Sequence, residues 1–187
     1  MPSLSILGLS GSLRKDSYNT ALLRAAQGLM PAGASLTIAD LAPVPLYNGD
    51  IEANSGIPAA VEELRAKIRA ADAVLIATPE YNGSFSAALK NALDWASRPP
   101  HPAFAGKPVA ILGASMGAFG TVRAQAHLRD VLTMLDARLV NTPQVFVGAA
   151  HEKIEAGVLK DKPALDFIKT LLDNLVAWTH QLRGERS

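Results

Sequence analysis

The sequence predicts an α/β three-layer sandwich, a five-stranded parallel sheet with helices on both faces. Three observations carry that reading. Short apolar runs of strand length alternate with longer segments of helical period. The runs are apolar throughout, as in strands buried on both faces. Five strand–helix units in succession suit the doubly wound order 2-1-3-4-5.

The elements follow in order. Leu4–Leu9 is the first strand, Ser10–Asn19 a polar loop, and Asn19 to Met30 a helix. Ser35–Ala39 is a second strand and Leu41–Gly56 a loop bearing Pro, Asn and Gly. Pro58 suits the opening position of a helix, and Val61, Leu64 and Ile68 give it an apolar stripe ending near Ala71. Ala73–Ala77 is the third strand, followed by the loop Thr78–Ser86 and a helix through Leu89, Leu93 and Trp95. The prolines of Arg98–Pro102 lack amide donors, which makes that stretch a non-helical connection. Val109–Ala114 is the fourth strand, with a glycine-rich loop behind it and a helix from about Thr121 to Leu135 carrying Leu128, Val131, Leu132 and Leu135. Val140 and Gln144–Val147 supply a fifth strand around Pro143, and Pro163–Leu182 closes the chain.

The chain has 187 residues, formal net charge +1, 49% hydrophobic and 19% charged residues, and no cysteine. The length suits one domain over 1–187, with roughly 70% of the unfolded surface buried on folding. Without cysteine there is no disulfide, Fe–S cluster, thiolate metal site or cysteine nucleophile. Near-neutral charge speaks against a bulk electrostatic grip on nucleic acid or an anionic membrane. Met1 to Ser12 is apolar, but its first cations, Arg14 and Lys15, follow the apolar run, the reverse of a secretory signal. No stretch reaches the roughly 20 apolar residues of a membrane span. A cytoplasmic location is the expectation.

In an open parallel sheet the ligand crevice lies beyond the carboxyl ends of the strands, so the loops after strands one, three and four matter most. The first, Ser10-Gly11-Ser12-Leu13-Arg14-Lys15-Asp16-Ser17-Tyr18-Asn19, combines hydroxyls, an amide and cations just before a helix N-terminus. Those groups make a receptor for one phosphate. Ser17 or Asn19 can equally be a simple helix cap. The loop lacks the G-x-x-x-x-G-K-[ST] of a P-loop and the G-x-G-x-x-G of a dinucleotide turn. A single phosphate without a metal partner points to a mononucleotide such as FMN. The second loop, Thr78-Pro79-Glu80-Tyr81-Asn82-Gly83-Ser84, carries an Asn-Gly turn signal. Such a loop can turn its amides to the edge of a planar ligand while Tyr81 offers a face, or it is a turn with a surface tyrosine. The third, Gly113 to Gly120, lets backbone approach a ligand closely. It also matches the G-x-S-x-G nucleophile elbow, with Ser115 followed by Asp130 or Asp136 and by His151 or His180.

Together the three loops resemble the NADPH-dependent FMN reductase family of flavodoxin-like proteins, with its bacterial quinone, chromate and azo-dye reductases the nearest match. The family's G-S-x-R-x-x-S-x-N pattern stands as Gly11 to Asn19, its P-E-Y-N-[GH]-[SG] as Pro79 to Ser84, and its K-P-[VA]…G-x-S-x-G as Lys107-Pro108-Val109 through Gly117. The resemblance implies a flavodoxin-like sandwich. It assigns the FMN phosphate to Ser10, Ser12, Arg14, Ser17 and Asn19, with Leu13 in the same loop, and the isoalloxazine edge to Pro79, Glu80, Tyr81, Asn82 and Gly83. Ser115 and Gly117 complete the flavin side, with Ser115 a hydrogen-bonding residue rather than a nucleophile.

On this resemblance the chain is an enzyme with no catalytic side chain and no metal. FMN carries two electrons from NAD(P)H to a small-molecule acceptor, a quinone first and otherwise free flavin, chromate or an azo compound. Ping-pong kinetics and a homodimer or homotetramer are expected. Glu80 either tunes the flavin or pairs with a cation across a subunit contact, and Arg123, Gln125, His127 and Arg129 give the following helix a polar face. The competing readings are a flavodoxin-type electron carrier, which the +1 charge does not favour, and a serine hydrolase acting through Ser115.

Overall fold

The apolar runs carry a period of two that their composition hides. In the computed structural model, which describes residues 3–184, Ala73, Leu75 and Ala77 face one apolar cluster while Val74 and Ile76 face another. Ala110, Leu112 and Ala114 against Val109 and Ile111 repeat the division one strand further on. Each face of the sheet thus feeds its own layer of helices.

The elements run β1 (Leu4–Ser10), α1 (Tyr18–Gly28), β2 (Ala34–Ala39), α2 (Gly49–Ser55), α3 (Ala59–Ala70), β3 (Ala73–Ala77) and α4 (Ala87–Ala96). They continue with β4 (Pro108–Ala114), α5 (Val122–Met134), β5 (Arg138–Leu139), β6 (Val145–Val147), α6 (Ala150–Lys153), β7 (Ile154–Glu155), β8 (Val158–Leu159) and α7 (Lys162–Leu182). The sheet has the order β2-β1-β3-β4-β5, with β6 also on β4, and every pairing in it is parallel. Helices α1 and α7 cover one face through Leu22, Leu23, Ile168, Leu171, Leu172 and Leu175. Helices α3, α4 and α5 cover the other through Leu64, Ile68, Leu89, Leu93, Leu128 and Leu132. This is the expected doubly wound, flavodoxin-like arrangement.

The fifth strand departs from the sequence reading. Arg138–Leu139 pairs with Pro108–Val109, and Val145–Val147 pairs with Leu112–Ala114. Val140 still donates to Val109 O at 2.8 Å, but the chain then leaves the ladder and rejoins it after Pro143. A proline there has no N–H to lose from a ladder. Pro58 is the cap residue of α3 rather than its first helical residue, and α1 opens at Tyr18 behind Ser17. The polar face expected on α5 is also smaller. Gln125 is buried, and its side-chain amide donates to Thr121 Oγ1 and Val145 O at 3.0 and 2.9 Å.

Two features go unread in the sequence. Helix α2 lies inside the expected loop, capped by Asn48, whose side chain accepts the Asp50 N–H at 2.9 Å. It buries no residue, so it leaves no apolar stripe to detect. The β7–β8 hairpin turns on Ala156 and Gly157, both at positive φ, and alanine there gives no turn signal.

The long β2–α3 connection is latched to α4. Asn91 and Trp95 both donate to Pro45 O, at 2.8 and 2.9 Å, and Asn91 Oδ1 accepts the Tyr47 N–H at 2.7 Å. Glu52 accepts from Arg98 Nε at 2.8 Å and from the Tyr47 hydroxyl at 3.0 Å. The Arg98 hydrogen bond holds the Glu52 carboxyl below its ordinary 4.5, against the opposing effect of desolvation. A lowered folded pKa means that the latch contributes fully above the unfolded value and is lost as pH falls through the folded one. Wild-type protein is therefore expected to lose stability on acidification below about pH 4.5 more steeply than Glu52→Gln does. Urea midpoints of both proteins across that range, followed by tryptophan fluorescence, check this.

Candidate functional site

Loops leaving the carboxyl ends of β1, β3 and β4, adjacent strands in the sheet, wall a cleft of about 670 Å³. It lies where strand order reverses between β1 and β3, the usual place for a ligand in such sheets.

The first loop builds the anion-accepting end. Ser17 Oγ accepts the Thr20 N–H at 3.3 Å and caps α1, while Ser17 O receives the Ala21 N–H at 3.0 Å. The opening amides of α1, on Tyr18 and Asn19, have no acceptor among the described residues and lie at the cleft. Arg14 is exposed beside them, its guanidinium 5.8 Å from the Tyr18 ring centroid. Ser12 lines the cleft, and its hydroxyl accepts the Arg14 N–H at 3.5 Å. Ser10 is placed differently. Its hydroxyl accepts from Thr20 Oγ1 at 2.9 Å and donates to Ser12 O at 3.3 Å, so it shapes the loop from within. Ser10 and Leu13 line a neighbouring groove rather than the cleft.

The second loop forms a rigid wall. Asn82 at φ 51° and Gly83 at φ 74° turn the chain between Tyr81 and Ser84. These two exchange N–H···O bonds of 2.8 and 3.1 Å. Positive φ at both central residues is the type I′ hairpin turn that Asn-Gly favours. Pro79, Glu80, Tyr81, Asn82 and Gly83 all line the cleft. The Glu80 carboxylate itself points to α5, where it accepts the N–H groups of Arg123 and Ala124 at 3.0 Å each.

The third loop and the start of α5 close the cleft with Ser115, Gly117 and four residues the sequence reading did not assign to the site, Met116, Phe119, Val122 and Arg123, the last read only as part of a polar helix face. Met116 and Phe119 are 61% and 83% exposed, and apolar side chains this exposed in a glycine-rich loop are the signal that could have found them. Ser115 Oγ donates to Gly120 O at 2.6 Å. No histidine is among its partners, His151 lies against Glu152, and Asp136 pairs with Arg138. Among the described residues no histidine base is hydrogen-bonded to the serine of the elbow.

Side chains brace the loops to one another. Asn19 donates to Ala114 O and accepts the Ala114 N–H, at 3.0 and 2.9 Å, fixing the start of α1 to the end of β4. Ser86 donates to Gly11 O while accepting the Leu89 N–H at 3.2 Å, and Gly11 N–H donates to Ala77 O at 2.8 Å. Glu80 joins the second loop to α5. An end rich in free N–H groups beside a guanidinium, apolar walls and a fixed turn suits a planar ring with a phosphate tail.

Residues 4–152 match the model of the NADPH-dependent FMN reductase family. The chain belongs to that family. It is 53% identical to an NAD(P)H-dependent FMN reductase of Pseudomonas aeruginosa over 182 residues, covering 97% of this chain and 98% of the relative. It is 42% identical to a quinone reductase of Escherichia coli K12, over 88% of this chain and 89% of the relative. Among solved structures, FerB, the NAD(P)H:(acceptor) oxidoreductase of Paracoccus denitrificans, superposes with a TM-score of 0.86 at 33% identity, over 95% of this chain and 98% of that one. As a family member the chain is an oxidoreductase with FMN as cofactor and NAD(P)H as co-substrate. Among the described residues no helix is long and apolar enough to cross a membrane.

Asn19→Ala removes the acceptor of the buried Ala114 N–H. The expected cost is about 1–3 kcal/mol, read as a lower urea midpoint of the flavin-free protein. An unchanged midpoint would show that the brace is not needed.

Proposed function

We propose that this chain binds FMN with its phosphate at the Ser12–Asn19 loop and its ring along Pro79–Gly83, and moves two electrons from NAD(P)H to quinones or similar acceptors. One observation carries the reading: the free opening amides of α1, on Tyr18 and Asn19, share a cleft with the exposed Arg14 guanidinium and the fixed Asn82–Gly83 turn. Bound there, the flavin would supply the redox chemistry, a hydride acceptor at N5 and two electrons for the second substrate.

The protein's own part is positioning. Ser12, Arg14 and the α1 amides hold the phosphate by charge-assisted hydrogen bonds. The Pro79–Gly83 main chain, rigid through its turn, meets the heteroatom edge of the ring. Met116 and Phe119 cover apolar ring surface and exclude water. Neither a side-chain acid nor a base is needed in this scheme. With both substrates using one open face, NAD(P)H must leave before the acceptor enters, and initial rates follow ping-pong kinetics. Free flavin, chromate and azo compounds are opportunistic acceptors at the same face.

The same reading makes residues 1–187 one domain, a cytoplasmic enzyme, and a homodimer or homotetramer. Leu46 and Met134 are exposed apolar side chains that contact between copies would cover. Sedimentation as a monomer at micromolar concentration would remove the oligomer.

The decisive test is an absorption spectrum of protein loaded with FMN, desalted and mixed anaerobically with NADPH. Retained flavin bands that bleach within the mixing time are expected. Retained flavin that NADPH hardly touches would make the chain an electron carrier instead. Arg14→Ala is expected to weaken FMN binding by about 1.5–3 kcal/mol, and unchanged affinity would remove the phosphate assignment.

A further inference from the structure

Two helices present their N-termini to the cleft, α1 through Ser17, Tyr18 and Asn19 and α5 through Val122 and Arg123. Both carry the partial positive charge that attracts an anion. They are finished differently. At α1 the cap is local, Ser17, and the amides of Tyr18 and Asn19 stay available. At α5 the cap residue Thr121 makes no side-chain cap bond, being buried and engaged instead by Gln125. The donors of that turn go to a carboxylate from another loop, Glu80 Oε2, which takes the Arg123 and Ala124 N–H groups at 3.0 Å each.

We propose that Glu80 is a positioning residue for the flavin ring, acting as a built-in anion on α5. The proposal rests on the FMN reading above and adds to it the role of a residue whose carboxylate is bonded to α5. Glu80 lies one residue from Pro79 and three from Gly83, inside the segment that meets the ring. Its two bonds to α5 fix that segment near its start, whereas the Tyr81–Ser84 turn fixes only the tip. They also satisfy α5 from within the chain, so the two N-termini take different anions: α5 the protein's own carboxylate, α1 the phosphate of the ligand. Glu80 Oε2 is engaged within the chain by this contact, a role distinct from tuning the flavin or pairing across a subunit contact.

The test uses riboflavin and FMN, which share the ring and differ in the phosphate, each titrated into full-length protein by flavin fluorescence quenching. For Glu80→Ala the proposal expects riboflavin affinity to fall about tenfold, the scale of lost hydrogen bonds to a charged group, while the FMN-to-riboflavin affinity ratio stays that of wild type. Glu80→Gln keeps an acceptor oxygen without the charge, and riboflavin affinity is expected to lie about threefold below wild type. Unchanged riboflavin binding in E80A overturns the proposal, and so does collapse of the ratio, which would mark general damage to the cleft. Should E80A not fold, E80Q decides: an approximately threefold loss with the ratio kept supports the role, and wild-type riboflavin affinity overturns it. Wild-type protein that binds neither flavin would bring down the FMN reading as well, which distinguishes that failure from failure of this inference alone.

Discussion

Backbone N–H and C=O groups at the carboxyl ends of β1, β3 and β4 must find partners where the ladders stop, and side chains from neighbouring loops supply them. Asn19 serves both polar groups of Ala114, Ser86 serves Gly11, and Glu80 serves the first turn of α5. Each bond is a satisfaction of buried or half-buried backbone and a brace between two loops at once. Remove the braces and three loops from three strands hang independently over the same opening. With them, the cleft has a shape before any ligand arrives, and a ligand that fits avoids the entropy cost of ordering the loops.

The braces also account for how roles divide within the sequence motifs. In Ser10 to Asn19, Ser10 and Asn19 spend their side chains on protein, whereas Ser12, Arg14 and the α1 amides face the cleft. In Pro79 to Ser84 the Glu80 side chain goes to α5 and leaves the main chain to the cleft. A motif read as a row of ligand contacts is therefore partly a row of structural bonds. Gly113 shows the same economy. A Cβ there would lie 2.3 Å from Thr121 Oγ1 and 2.4 Å from Thr78 O, so only glycine lets β4 end this close to α5.

Much of this was legible in the amino-acid sequence because the signals are local. Apolar runs such as Ala73–Ala77 mark strands, Asn82-Gly83 marks a tight turn, and serine before a helix marks a cap. What escaped has no local signature. Helix α2 has no buried face, the β7–β8 turn uses alanine at positive φ, and the fifth strand splits around Pro143 because of what it pairs with. The partner of Glu80 lies 43 residues away, a distance that pattern along the chain cannot reach. Family membership identifies FMN as the cofactor, while the braces explain how this chain holds its cleft ready.

Braced loops make a cleft that is formed, with a fixed polarity, before the ligand arrives, and a crystal structure of the FMN complex decides whether they do. The phosphate is expected within hydrogen-bond distance of the Tyr18 and Asn19 amides and the ring edge along Pro79–Gly83. The Asn19–Ala114, Ser86–Gly11 and Glu80–α5 bonds are all expected to be retained. A phosphate seated on the amides of Arg123 and Ala124 with Glu80 displaced, or loops that must part from one another to admit the flavin, would contradict this expectation.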